Sequence, residues 1–193
     1  MTDYILVILY SYLLGSIPTA YIFAKLFYKL DIRKQGSGNV GTLNFLRVSH
    51  SKIISIIVLI LDASKGYLAI GLTASLANSA LILFASVAVV LGHIFPIWLG
   101  GKGGRGLATL AGVILYVNPI LVGYWWLLFG ALYLVTKKYI FSGILALFLV
   151  NLITVLTQNL DTFLILSVNS VIVMLKYVGR LASELNLKSK EGE

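Results

Sequence analysis

The sequence predicts an all-α polytopic membrane protein of about seven transmembrane segments, N-terminus out and C-terminus in, with one short half-helix after a Gly-rich loop. Three observations carry this. Of 193 residues, 59% are hydrophobic and only 11% charged, far outside the soluble average. The apolar residues gather into successive runs close to the roughly 17–25 residues that cross a bilayer as a helix. Once these runs are drawn as alternating spans, none of the 15 Lys and Arg residues falls in the turns of one face. The length suits a single integral membrane domain, 1–193, with 183–193 expected as a flexible cytoplasmic tail.

The first span runs from about Tyr4 to Ala24. Pro18 lacks the N–H that a continuous helix needs and kinks it. Met1 to Leu14 has no basic region of the secretory-signal type, so this segment reads as part of the mature chain. A polar connection follows from Lys25 to Lys52, the longest non-apolar stretch. The second span, Ile53 to about Ala77, carries Asp62 and Lys65 at i, i+3. Charges inside a membrane pair with each other or line a site, and a structural pin and a substrate contact both fit. The third span, about Ser79 to Leu99, contains His93 and Pro96 near its end.

From Leu107 to Thr136 the chain is apolar for 30 residues, interrupted by Asn118-Pro119. Charge decides between one helix and two. A break at Pro119 gives further segments at Leu107–Val117, Pro119–Thr136, Tyr139–Thr157 and Phe163–Leu175. It also places the basic residues of the 25–52 connection, Lys102, Arg105, Lys137, Lys138, Lys188 and Lys190 together on the face that the positive-inside rule assigns to the cytoplasm. The Asn78 turn, Asn118 and the Gln158–Asp161 turn fall opposite. At roughly 1.5 Å per residue, Leu107–Val117 is about 16 Å long, a half-helix rather than a span. The formal charge of +8 is thereby explained by membrane orientation, and nucleic acid is not expected as a partner.

No cysteine is present, which excludes disulfides and thiol chemistry. Two isolated histidines and seven scattered carboxylates show no metal-ligand spacing, so no metal or other cofactor is expected.

Two glycine-punctuated runs stand out. In Gly36 to Arg47 (GSGNVGTLNFLR), glycines Gly36, Gly38 and Gly41 allow successive amides to converge on an anion. Ser37, Asn39, Thr42 and Asn44 add neutral polar groups, and Arg47 can fork onto two phosphate oxygens. Gly100 to Gly106 (GGKGGRG) repeats the recipe, with Lys102 and Arg105 around Gly103 and Gly104. The half-helix begins directly after it, so its N-terminal amides would face the same anion. His93 lies just before this run and could act as a base or as a hydrogen-bond donor to phosphate.

Taken in order, Gly15-Ser16-Ile17-Pro18, Asp31-Ile32-Arg33, GSGNVG, Asn44, Arg47, Asp62-x-x-Lys65-Gly66, Gly92-His93 with Pro96, GGKGGRG and Ala108-Thr109 resemble the bacterial acyl-phosphate:glycerol-3-phosphate acyltransferases (PlsY), over nearly the whole chain. The resemblance implies a seven-helix inner-membrane enzyme. Such enzymes move a fatty acyl group from acyl phosphate to the 1-hydroxyl of glycerol 3-phosphate, giving lysophosphatidate and phosphate for phospholipid synthesis. It implies no acyl-CoA or acyl carrier protein as direct donor, and no obligate protein partner is evident.

Three positions depart from the family pattern. Thr42-Leu43 stands where Ala-Thr is usual, and Arg105 replaces a lysine. Tyr177-Val178-Gly179-Arg180 stands where His-Arg-Glu-Asn follows the last helix. The expected site comprises Ser37, Arg47, His93 and Arg105 as catalytic groups. Substrate phosphate is expected on Gly36, Gly38, Asn39, Gly41, Thr42, Asn44, Lys65, Lys102, Gly103, Gly104, Tyr177 and Arg180. No nucleophile with a histidine and a carboxylate in register is visible, so direct transfer is expected over an acyl-enzyme. A membrane protein that binds or transports a phosphorylated lipid or anion without catalysis is the alternative. A third reading makes the glycines helix-packing residues.

Overall fold

The computed structural model describes residues 2–76, 79–156 and 160–186. Among these, nine α-helices follow one another: α1 (Thr2–Ser16), α2 (Thr19–Tyr28), α3 (Thr42–Ser49), α4 (Lys52–Leu76), α5 (Ile82–Ile94), α6 (Leu107–Val117), α7 (Pro119–Thr136), α8 (Tyr139–Leu156) and α9 (Leu160–Asn186). Short 3-10 turns occupy Ile32–Lys34, Ser79–Leu81 and Ile97–Leu99. Six stretches of the described chain are long and apolar enough to cross a membrane, the first being α1 and α2 taken together, and α6 is the short apolar helix between them.

The chain divides into two compact units, Met1–Tyr116 and Val117–Glu193. In the first, helices are held by reciprocal glycine contacts. A Cβ on Gly15 would overlap the Val89 carbonyl of α5, and one on Gly92 would overlap the Tyr12 carbonyl of α1. The same exchange joins α4 to α6, where Gly66 lies against the Thr109 carbonyl and Gly112 against that of Ala63. Small residues let membrane helices approach to backbone contact, where dispersion replaces the missing hydrophobic drive. Tyr67 and Tyr116 close the α4–α6 contact edge to face at 5.1 Å.

Pro18 interrupts the first span as expected. It cannot donate to Leu14, so the chain turns, with the Thr19 amide on the Ile17 carbonyl at 3.0 Å, before α2 resumes. Beyond α2, an apolar cluster of Ala20, Ala24, Ile32, Val40, Phe45 and Val58 is buried. It ties α2, the 32–34 turn, the glycine run, α3 and α4 into one support.

In the second unit, Asn118 caps α7 by accepting from the Ile120 amide (3.1 Å), with Pro119 at the first turn, an arrangement that fixes a helix start. Trp125 Nε1 donates to the Gly143 carbonyl of α8 at 3.2 Å. Asn151 on α8 donates to Ser170 Oγ (3.0 Å) and accepts from Ser167 Oγ (2.9 Å), both on α9. Leu121 is the buried residue of α7; Trp126, Leu127, Leu134 and Val135 are exposed, a surface suited to hydrocarbon.

Two expectations need correction. The connection from Lys25 to Lys52 is not a long loop, because α2 extends to Tyr28 and α3 forms inside it; burial of Phe45 and Asn44 stabilises an eight-residue helix too short to announce itself by periodicity. The last helix does not end at Leu175. It continues to Asn186, since Leu181, Ala182, Glu184 and Leu185 are good helix formers once the chain leaves the apolar region. Tyr177 and Arg180 therefore lie within α9 rather than after it. The expected tail starts inside α9, and its residues from 187 onward lie outside the described residues, as do the expected turn at Asn78 and residues 157–159 of the next one.

Candidate active site

The first glycine run is a shaped entrance to α3. Gly36 (φ 56°) and Gly38 (φ 71°) adopt left-handed backbone that other residues take at a cost. Inside the curve sits Asn44, 1% exposed. Its Nδ2 donates to the carbonyls of Ile32 (3.2 Å), Gln35 (3.1 Å) and Asn39 (3.0 Å), and its Oδ1 accepts from the Ser37 amide at 2.7 Å. The Gly38 amide donates to the Gln35 carbonyl at 3.0 Å. Asn44 is thus a positioning residue that shapes the loop, not a donor turned toward a ligand.

What the loop presents is the start of α3. Gly41 occupies the N-cap position with no side-chain cap, so the amides of Thr42, Leu43 and Asn44 have no intrahelical acceptor. A Cβ at Gly41 would crowd Asn39 Nδ2 at 2.9 Å. Thr42 Oγ1 is buried without a hydrogen-bond partner. Ser37 and Asn39 are half-buried along the run, and Arg47 is exposed one turn into α3. Ahead of it, Arg33 grips Asp31 at 2.9 and 2.8 Å and lies 4.9 Å over the Tyr21 ring. The Arg33 side-chain hydrogen bond holds the Asp31 carboxyl well below the usual carboxylate range.

The second run is built differently from the expectation. Its amides turn inward: Gly101 to the Pro96 carbonyl (3.0 Å), Lys102 to Leu99 (3.3 Å), Gly103 to Ile94 (3.1 Å) and Gly104 to His93 (3.0 Å). Gly103 and Gly104 are buried, and a Cβ at either would strike the α5 end, at Gly104 the His93 ring itself. These two glycines permit close packing and do not offer amides to an anion. Lys102 is exposed and Arg105 half-buried, carried by a loop that leads through Gly106 (φ 86°) into α6.

Between the runs lies a narrow cleft. Residues 15–19 of the α1–α2 break, Val40 of the first run, Asp62, His93, and Gly103 and Gly104 line it. Here the structure brings together residues far apart in sequence. Lys65 Nζ donates to Asp62 Oδ1 (2.5 Å) and to the Ile17 carbonyl (2.6 Å), with Thr19 Oγ1 at 3.4 Å. The Thr19 hydroxyl donates to Asp62 Oδ1, and His93 Nδ1 stands 3.7 Å from the same oxygen. Asp62, Lys65 and His93 are 1%, 4% and 8% exposed.

Lys65 is therefore corrected from a phosphate ligand to a buried structural cation, its ammonium engaged by three acceptors. His93 is enclosed by Asp62 and Gly104, the imidazole and the carboxylate approaching each other from α5 and α4 at 3.7 Å. Sequence reasoning missed Thr19. The available signal was its position just after a proline break, where a carbonyl outside the helix and a hydroxyl occur together. In the second unit, Tyr177 is buried on α9, and the Arg180 side chain lies outside the described residues.

This chain matches the family model described as glycerol-3-phosphate acyltransferase over residues 5–186. The glycerol-3-phosphate acyltransferase of Anaplasma marginale is 33% identical over 190 residues, spanning 97% of this chain and 95% of the relative. That of Pelagibacter ubique is 35% identical over 190 residues, spanning 97% and 98%. A crystal structure of PlsY, an integral membrane glycerol 3-phosphate acyltransferase, in its glycerol 3-phosphate form superposes with a TM-score of 0.86 at 28% identity, covering 95% of this chain and 92% of that one. The lysophosphatidic acid form gives 0.82 at 28% identity, covering 93% and 92%. The chain belongs to the glycerol-3-phosphate acyltransferase family.

Proposed function

We propose that this protein is a multi-pass membrane acyltransferase that moves a fatty acyl group from acyl phosphate to the 1-hydroxyl of glycerol 3-phosphate. The products are lysophosphatidate and inorganic phosphate. The observation that carries the reading is the uncapped start of α3, held open by Asn44 behind a loop of left-handed glycines, which suits a phosphate dianion. Arg47 and Arg105 grip the glycerol phosphate; the α3 amides and Lys102 hold the donor phosphate, with Ser37, Asn39 and Thr42 orienting the pair.

The acceptor oxygen attacks the acyl carbonyl carbon, the bond from that carbon to the phosphate oxygen breaks, and phosphate leaves. The hydroxyl proton passes to a phosphate oxygen. His93 is not given that proton, because its ring is enclosed by Asp62 and Gly104. Acyl phosphate is already activated, so catalysis reduces to positioning and charge neutralisation. The one-sided distribution of Lys and Arg supports an inner-membrane location with the site facing the cytoplasm.

The test is phosphate release by the purified protein from palmitoyl phosphate, with and without glycerol 3-phosphate, with the lipid product identified by mass spectrometry. Acceptor-dependent release together with lysophosphatidate is expected. Folded protein that binds palmitoyl phosphate but yields neither product would overturn the assignment in favour of a non-catalytic binding role.

A further inference from the structure

The Asp62–Lys65 pair is costly where it stands. Two charges on a membrane helix, each 4% exposed or less, lose their hydration and regain it only through complete hydrogen bonding. Here two groups of the α1–α2 break bond to the pair, and His93 of α5 approaches it. Lys65 Nζ reaches the Ile17 carbonyl at 2.6 Å, which also accepts the Thr19 amide across the Pro18 break. The Thr19 hydroxyl, from the first residue of α2, closes onto Asp62 Oδ1. His93, 3.7 Å from that oxygen, is the residue whose carbonyl receives the Gly104 amide at 3.0 Å and whose ring fills the space a Gly104 Cβ would need.

We infer that Thr19, Asp62, Lys65 and His93 form a buried positioning network that sets the separation of the two glycine runs without touching substrate. The break at 17–19 borders the same cleft as Val40 of the first run, and His93 borders it with Gly103 and Gly104 of the second. Asp62 Oδ1 is the common point to which both sides are referred. The inference rests on the acyltransferase reading for its kinetic consequence, though not for its geometry. If the network sets a separation, weakening it degrades the use of both substrates together. A residue that touches one substrate would instead raise the KM of that substrate alone.

Thr19 provides the clean test, since Thr19→Val keeps the shape and removes the hydroxyl, whereas Thr19→Ser keeps the hydroxyl. With palmitoyl phosphate and glycerol 3-phosphate as substrates, Thr19→Val is expected to lower kcat/KM for both by a similar factor, about tenfold or more. Thr19→Ser should stay within about twofold of the wild type. Hydrogen–deuterium exchange should accelerate over residues 36–41 and 100–106 in Thr19→Val and stay unchanged in α8. The double variant Asp62→Asn/Lys65→Met, which leaves no lone buried charge, should fold and show the same paired acceleration.

Unchanged kinetics and unchanged exchange in both variants would overturn the inference, as would a rise in only one KM with both runs exchanging normally. An inactive wild type would remove the acyltransferase reading, while the exchange measurement would still decide whether the network holds the two runs.

Discussion

Replacing Asn44 by alanine gives the sharpest test of how the first glycine run is held. Asn44 Nδ2 carries two hydrogens and faces three carbonyls, while Oδ1 takes the Ser37 amide; about three full hydrogen bonds vanish with the side chain. At about 1 kcal/mol net for each, the loss is about 3 kcal/mol. Gln35 and Gly36 are exposed, so water replaces part of it, leaving ~2–3 kcal/mol. Expressed as local opening, that is an acceleration of amide exchange of roughly 30- to 160-fold. The assay is hydrogen–deuterium exchange by mass spectrometry in detergent, comparing residues 32–39 with α8. Asn44→Asp should be worse, since a carboxylate would face the Ile32 and Gln35 carbonyls and occupy an anion-binding region with a charge of the wrong sign. Exchange over 32–39 that matches the wild type in Asn44→Ala would refute the claim that this side chain shapes the loop.

Arg47→Ala, an exposed position on α3, should lower kcat/KM for glycerol 3-phosphate by about 100-fold or more with an unchanged melting temperature, which steady-state kinetics beside a thermal melt will show. Gly112→Leu should lower the melting temperature through a loss on the order of 1–3 kcal/mol, because its Cβ overlaps the Ala63 carbonyl. Gly123→Leu should not, since no described atom lies within 4 Å of a Cβ there. Asn151→Leu removes the bonds to Ser167 and Ser170 and should cost roughly 0.6–2 kcal/mol, read as earlier unfolding in an SDS titration. The Asp31 carboxyl, stabilised as the anion by Arg33, should titrate below the ordinary value near 3.9, and Arg33→Gln should return its NMR midpoint toward that value. Any Asp31 contribution to stability is therefore present above the ordinary midpoint and fades as pH falls through the lower folded one.

The boundary between α6 and α7 was legible because two independent signals agreed on it. Asn118-Pro119 is both a cap and an N1 proline, and charge placement required a break at the same point; α6 and α7 accordingly begin and end where expected. The helix ends that escaped notice lack the usual marker. Lys29 and His50 terminate α2 and α3 in left-handed conformation without glycine, and an eight-residue α3 contains barely two turns from which to read a period.

The site was legible as chemistry and not as geometry, and the glycines show why. Gly36 and Gly103 look alike in the sequence, each in a short polar run beside a cation. One has positive φ and bends a loop; the other hands its amide to the Ile94 carbonyl and packs against Pro96. Local composition encodes the freedom of a glycine, while its use depends on what the rest of the chain places opposite it. Asp62 and Lys65 pose the same problem from the other side. Their i, i+3 spacing announces a pair, but the Ile17 carbonyl and the Thr19 hydroxyl that complete it lie more than 40 residues earlier, exposed to pairing only because Pro18 interrupts a helix. That proline break, read from sequence as a kink, is also what supplies the buried charges with acceptors; a continuous helix through residue 18 would leave Lys65 without the Ile17 carbonyl.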